Sequence, residues 1–261
     1  MTWIFKGLSN GVVTSKYPKK ADGYGHKWQG SLMVSRGATA NQDRIEQDCP
    51  THAIGFESGQ ARIDIGMCIF CGRCVEKYGD TFSFTPEFET ARLTRELLVV
   101  PELSEDETDL ASVKAALAIR MKAFGNSVVL RHVDCGSDGS EEWEIAALTN
   151  PIYDVQRLGI TFTASPRHAD ILIVTGAGSL GMVDSLKETY LQMPNPKAVI
   201  AVGTDAISGG VYSSSPQTVK NGINEVLPVD IYVPGSPPSP FGILYGILLA
   251  LRVVSDRNEP R

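Results

Sequence analysis

Beyond residue 125 short apolar runs alternate with stretches of helical period. Ser127–Val133, Ile160–Thr163, Ile171–Val174, Ala198–Val202 and Ile231–Val233 read as five strands. Helical patterns over Glu141–Leu148, Met182–Leu191, Thr218–Val226 and Phe241–Val254 occupy the gaps. Strands that alternate with helices predict an open, mostly parallel α/β sheet covered on both faces, flavodoxin-like in class. Ligand sites in such sheets lie in the loops at the carboxyl ends of the strands.

Upstream the pattern changes. Ala53–Phe56 and Ala61–Ile65 alternate like the two strands of a hairpin around Ser58-Gly59. Residues 1–30 show no period. Trp3, Phe5, Tyr17, Tyr24 and Trp28 are scattered through them, and the stretch reads as irregular. Such an arm lies over another surface or clasps its own domain. Ser104 and Glu107 form a capping box, and Leu110, Val113, Leu117 and Ile119–Met121 mark one face of a helix that runs up to Gly125. The predicted organisation is a small α+β domain over 1–95, a linker with an amphipathic helix over 96–124, and the α/β domain over 125–261.

Composition adds limits. The chain has 261 residues, 43% hydrophobic and 21% charged, which suits a globular protein with a core of its own. Its net charge is −6, and no basic stripe or Lys/Arg-rich helix offers a nucleic-acid surface. Met1–Gly7 is too short and polar for a signal peptide. The longest apolar run, Phe241–Val254, is interrupted by Arg252 and falls short of a membrane span. The expected location is cytoplasmic, with no transmembrane segment. Five cysteines, four of them at ligand spacing, suit a reducing compartment.

The strongest chemical signal is Cys68-Ile69-Phe70-Cys71-Gly72-Arg73-Cys74. Cys49, followed by Pro50, lies nineteen residues upstream. Bacterial ferredoxins use C-x-x-C-x-x-C-x-x-x-C-P, with the final Cys-Pro serving the other cluster in two-cluster forms. Cys49, Cys68, Cys71 and Cys74 therefore make one set of thiolates for a [4Fe–4S] cluster, and the domain reads as ferredoxin-like. Structural zinc favours two separated ligand pairs over a tight triplet. A disulfide framework does not suit a long chain without a secretion signal. The ligand positions of a second cluster, counted from the same grammar, hold Thr39, Gln42, Ile45 and Tyr78, none of them a thiolate. One cluster is expected. Cys135 reads as an inert buried thiol, His52 as a loop residue, and His132 and His168 as structural histidines.

Gly176-Ala177-Gly178-Ser179-Leu180-Gly181 follows a strand and precedes a helix, with Asp205 after the next strand. In form this is a dinucleotide fingerprint. It is the weaker reading, because Asp205 stands 24 residues past Gly181 and an earlier strand precedes the motif.

Two resemblances sharpen the picture. Trp3-Ile4-Phe5-Lys6, Val13–Pro18 and Gly66–Cys74 resemble the polyferredoxin subunit of formate hydrogenlyase and other group 4 [NiFe] hydrogenases, related to the two-cluster ferredoxin subunit of complex I, over about residues 1–92. Val133–Ser137, Ser165–Gly176, Gly203–Gly210 and Pro228–Pro240 resemble the small subunit of the same hydrogenases, over about 126–254. The resemblance implies a fused iron–sulfur electron-transfer subunit, not a stand-alone enzyme. It implies a hydrogenase-like large subunit and membrane subunits as partners, a ferredoxin-type electron donor, and a peripheral place on the cytoplasmic membrane face. It also implies a terminal cluster in the small-subunit part, whose cysteines would fall at Asp138, Glu141, Asp205 and Ser236. None is cysteine, so that cluster is expected to be lost. The carboxylates left there suit hard cations or proton relay, or form only a polar scar. The alternative role is a structural adaptor whose one cluster stabilises the fold.

Overall fold

The computed structural model describes residues 2–20, 22, 24, 28–35, 42–101, 107–124 and 127–251. Ser104 and Thr39 lie outside them, as does the end of the apolar run beyond residue 251.

The elements run α1 (Thr2–Asn10), β1 (Ser31–Val34), α2 (Gln42–Asp48), β2 (Ile54–Glu57), β3 (Gln60–Asp64), α3 (Arg73–Lys77), β4 (Phe82–Thr85), β5 (Val99–Val100) and α4 (Glu107–Met121). They continue with β6 (Val128–Asp134), α5 (Ser140–Ala147), β7 (Ile160–Phe162), β8 (Ile171–Thr175), α6 (Leu180–Gln192), β9 (Ala198–Val202), α7 (Thr204–Ser208), β10 (Ile231–Val233) and α8 (Pro240–Ala250).

The last five strands form one parallel sheet in the order β10-β9-β8-β6-β7. Counted within the domain this is 2-1-3-4-5, the flavodoxin-like doubly wound order, with the direction of winding reversing between β6 and β8. All five predicted strands are present. The predicted hairpin is also present: β2 and β3 pair antiparallel, and Ser58 and Gly59 both take positive φ at its tip, as a tight hairpin turn requires. β5 adds to β3, and β1 pairs with β4.

Because side chains alternate along a strand, the sheet builds two cores. Leu130, Ile171, Ile173, Ile200, Ile231 and Val233 face α4, α5 and α8. α8 is buried along its whole length, which explains why an almost uniformly apolar run need not cross a membrane. No helix among the described residues is long and apolar enough to do so. On the other face, Leu172, Val174, Val199 and Ala201 join Leu186, Ala206 and Ile207, and also Leu32, Ile45, Ile63, Cys68 and Leu98 from the N-terminal part. That second core is continuous across both parts of the chain. Arg92 and Tyr232 exchange backbone hydrogen bonds across the same seam.

Two sequence expectations fail. Residues 1–30 are not irregular throughout, since Thr2–Asn10 is helical; Ile4, Phe5 and Leu8 share one face, a stripe too short for its period to register. Thr218–Val226 is not an α-helix. Asn221 and Gly222 take positive φ, and only a 3-10 turn at Ile223–Glu225 follows. The apolar residues there serve as plugs, with Ile223 buried in the second core.

The second half of the N-terminal arm does clasp its own molecule. The Tyr17 ring packs edge-on against Phe88 and Phe241 at 5.3 and 5.8 Å. The Tyr24 and Tyr153 hydroxyls meet at 2.8 Å beside the same ring.

Candidate metal centre

Cys49, Cys68, Cys71 and Cys74 line one pocket, walled by Leu32, Ile45, Ile54 and Ile63 and closed by Tyr78. The loop that carries three of them reverses sharply. Phe70 and Gly72 both have positive φ, and α3 begins directly after Gly72. Cys49 arrives from the end of α2. Its sulfur accepts a hydrogen bond from Ala53 N–H at 3.2 Å, and that of Cys68 accepts one from Phe70 N–H at 3.3 Å. Burial, and secondarily the neighbouring thiols, push the Cys68 thiol up to about 12, so it ionises only against a compensating cation.

These residues fit a [4Fe–4S] cluster. Four sulfurs surround one apolar pocket, and two already accept backbone donors. Among the described residues no group of three or more His, Cys, Asp or Glu, the four cysteines included, is close enough to hold a single metal ion. The positions that lack a second set of thiolates are filled. Ile45 is buried in the core, and the Tyr78 hydroxyl donates to Asp48 at 2.6 Å.

The pocket is pinned from both sides. Thr204 Oγ1, at the start of α7, donates to the Cys68 carbonyl at 2.8 Å. Asp64 holds Arg95 through both carboxylate oxygens, at 2.8 and 2.6 Å, and accepts from Gly66 N–H at 2.9 Å. None of these groups is identifiable from sequence. The backbone donors carry no sequence signature, and Thr204 is 136 residues from Cys68.

The second set of candidate residues lies at the carboxyl end of the sheet. Glu141 is 1% exposed and Asp205 7% exposed, while Asp138 and Ser236 are at the surface. Asp138 accepts from Ser140 N–H at 2.9 Å at the start of α5, and hydrogen bonds from Ser140 hold its carboxyl low. The Glu141 carboxyl lies over Gly203, where a Cβ would stand 2.5 Å from Oε1. Burial first, then the charges of Asp205 and Asp138, raise Glu141 to about 7. Burial, then Asp138, raises Asp205 to about 6. The three carboxyls thus share one local field. Ser236 opens instead into a neighbouring cleft with Trp28, Phe70 and Glu144.

A raised carboxyl keeps its proton in the folded chain over a range where the unfolded chain has lost it. Stability therefore falls as pH rises from the unfolded value near 4 toward 7, and is level above that. Glu141→Gln removes the titration. The variant is expected to match the natural chain near pH 4.5 and to exceed it by about 3 kcal/mol at pH 8. Denaturant unfolding of both across that range checks this. A difference that does not change with pH rules the buried carboxyl out as its source.

The glycine loop sits at the switch point between β6 and β8. Gly176, at φ +80°, leaves no room for a Cβ, which would meet Gly136 C and Ser137 N at 2.6 Å. A Cβ on Gly178 would meet Val219 Cγ2 at 2.3 Å. Ala177 N–H donates to Gly136, and Ser179 N–H to Cys135. The chain's own loops occupy the crevice where a nucleotide phosphate would otherwise approach. Cys135 is buried beneath them, its thiol pushed up to about 11 by burial. His132 bonds to Thr175 at 2.9 Å and is kept low by burial, as a structural histidine is. His168 and His52 are exposed.

Residues 138–250 match the family described as NADH ubiquinone oxidoreductase, 20 Kd subunit. The chain is 43% identical over 130 residues to the probable membrane-bound hydrogenase subunit mbhJ of Pyrococcus furiosus, covering 50% of this chain and 77% of that one. It is 37% identical to formate hydrogenlyase subunit 7 of Escherichia coli, covering 61% of this chain and 60% of that one. It is 47% identical to an NADH-quinone oxidoreductase subunit of Citrifermentans bemidjiense, covering 41% of this chain and 62% of that one. The match thus spans about three fifths of the length of the latter two relatives.

Proposed function

This chain belongs to the family of the NADH ubiquinone oxidoreductase 20 Kd subunit, and from that premise we propose that it is the electron-transfer subunit of a complex I-like or group 4 hydrogenase-like assembly. It carries one [4Fe–4S] cluster on Cys49, Cys68, Cys71 and Cys74. The observation that carries this reading is the convergence of those four cysteines on one apolar pocket. When bound, the cluster takes up and releases single electrons.

The chain's residues set the terms of that exchange. Ala53 and Phe70 N–H donate to sulfur and so favour the more negative, reduced state. Leu32, Ile45, Ile54 and Ile63 keep water away from one side. Cys71 is exposed and marks the edge open to a ferredoxin-type donor. The small-subunit site, with Asp138, Glu141, Asp205 and Ser236 in place of cysteines, holds no second cluster, so the onward path differs from that of a conventional hydrogenase. The partners are a hydrogenase-like large subunit and membrane subunits at the cytoplasmic face, and the functional units are the ferredoxin-like part over 1–95, the linker over 96–124 and the α/β part over 125–261.

A second reading, a structural adaptor, is favoured by one observation: Cys68 is itself part of the core shared with the sheet, so a cluster there also braces the junction. The glycine loop gives no comparable support to dinucleotide binding.

The test is anaerobic purification with iron and sulfide quantification and EPR of the reduced chain. About four irons per chain and one S = 1/2 signal are expected. About eight irons would refute the single-cluster reading, and zinc without iron would remove electron transfer altogether.

A further inference from the structure

The first helix has no apolar partner among the described residues. Every residue from Trp3 to Val13 is exposed, including Trp3 at 77%, Phe5 at 69%, Leu8 at 74% and Val12 at 87%. The arm is rooted only beyond them, where Thr14 Oγ1 donates to the Pro151 carbonyl and Ser15 N–H to that of Ile152, both at 2.8 Å. Ile4, Phe5 and Leu8 fall within about 100° of one another around the axis, with Lys6 opposite and Trp3 about 60° from Lys6, off that stripe. A nine-residue helix standing alone is marginal in water, because too few bonds repay nucleation. Its stability has to come from a surface that takes up the apolar face.

Charge identifies that surface. The first twenty residues hold Lys6, Lys16, Lys19 and Lys20 and no acidic residue, a net of +4. The whole chain is −6, so the remainder carries −6 − 4 = −10. Lys6, Lys16, Lys19 and Lys20 are all exposed. An apolar face of Ile4, Phe5 and Leu8, lysine opposite, and a cationic segment on an acidic body together match a helix lying in the plane of an anionic bilayer.

We propose that Thr2–Asn10 is an interfacial membrane anchor that beds Ile4, Phe5 and Leu8 among acyl chains, while Lys6, Lys16, Lys19 and Lys20 engage anionic lipid headgroups. The arm attaches the protein to lipid directly. This rests on exposure and charge alone, independently of the cluster.

The test is flotation of the full chain, purified anaerobically, with vesicles of phosphatidylcholine alone or containing about 30 mol% phosphatidylglycerol. Binding to the anionic vesicles is expected to exceed that to neutral ones at least tenfold and to weaken with salt. Each lysine contributes about fivefold, so Lys16→Gln, Lys19→Gln and Lys20→Gln together lower affinity on the order of a hundredfold. Phe5→Glu with Leu8→Glu abolishes binding while unfolding temperature and iron content stay unchanged, since both residues lie outside the two cores. Equal binding to both vesicles, binding that survives Phe5→Glu with Leu8→Glu, or no vesicle binding at all overturns the anchor. In the last case, loss of a co-purifying subunit from the Phe5→Glu, Leu8→Glu variant would assign the face to a protein partner. Iron is measured on the same sample, so a missing cluster with intact flotation counts against the electron-transfer reading alone.

Discussion

The Cys71→Ser chain, purified without oxygen, is expected to hold less than about one iron where the natural chain holds about four, and to lose its S = 1/2 signal. Cys71 is the substitution to choose. It is the one exposed member of the four, whereas Cys68 is buried in the shared core, so serine at 71 leaves packing untouched and tests ligation. Three thiolates at one pocket do not replace the fourth, because these clusters are held by cysteine at each corner. In the assembled complex the same substitution separates the two roles. An intact complex without turnover supports electron transfer. A complex that falls apart supports the adaptor, whose cluster braces the seam. Full turnover in an intact, iron-depleted complex would remove the cluster from the electron path.

Gly176→Ala is expected to destabilise the chain by about 3 kcal/mol, the sum of a left-handed backbone forced on alanine and a methyl group driven into a packed loop. The methyl would meet backbone atoms of Gly136 and Ser137 at 2.6 Å, and backbone cannot swing aside as a flexible side chain can. The dinucleotide reading predicts something else, a fold of near-natural stability with weakened nucleotide binding. Denaturant unfolding of both proteins, with and without NAD, distinguishes them. A variant of unchanged stability, or a natural chain stabilised by NAD, would restore the nucleotide site.

The α/β part is legible in the sequence because its signal is local. Each strand is an unbroken apolar run, and the runs Ala198–Val202 and Ile231–Val233 coincide with their strands to the residue. Thr218–Val226 misleads for the opposite reason: Val219, Ile223 and Val226 carry helix spacing, but they are spaced to fill holes left by other loops, and Asn221-Gly222 turns the backbone out of the helix. The cysteine spacing is legible because ligation demands residue types that nothing else substitutes. What surrounds the cysteines is not. Thr204, Ala53 N–H and Phe70 N–H act through geometry that exists only once distant segments have docked. The acidic loop shows the same limit, since Glu141 and Asp138 are three residues apart yet one is buried and high while the other is exposed and low. Glu141 sits on the first turn of α5 and turns inward, whereas Asp138 precedes the helix in the exposed loop.

The core that runs unbroken from Leu32 and Ile63 through Cys68 to Leu172 and Ile207 has a kinetic meaning. A redox head on a flexible tether shuttles, swinging between donor and acceptor, and its hinge can set the pace. Here the cysteine loop is bolted to the sheet by the Thr204–Cys68 hydrogen bond and by the Arg92–Tyr232 bridge. There is no swing to wait for. On the proposed function, a cluster held there is stationary with respect to the body of the protein, so the donor has to travel to it.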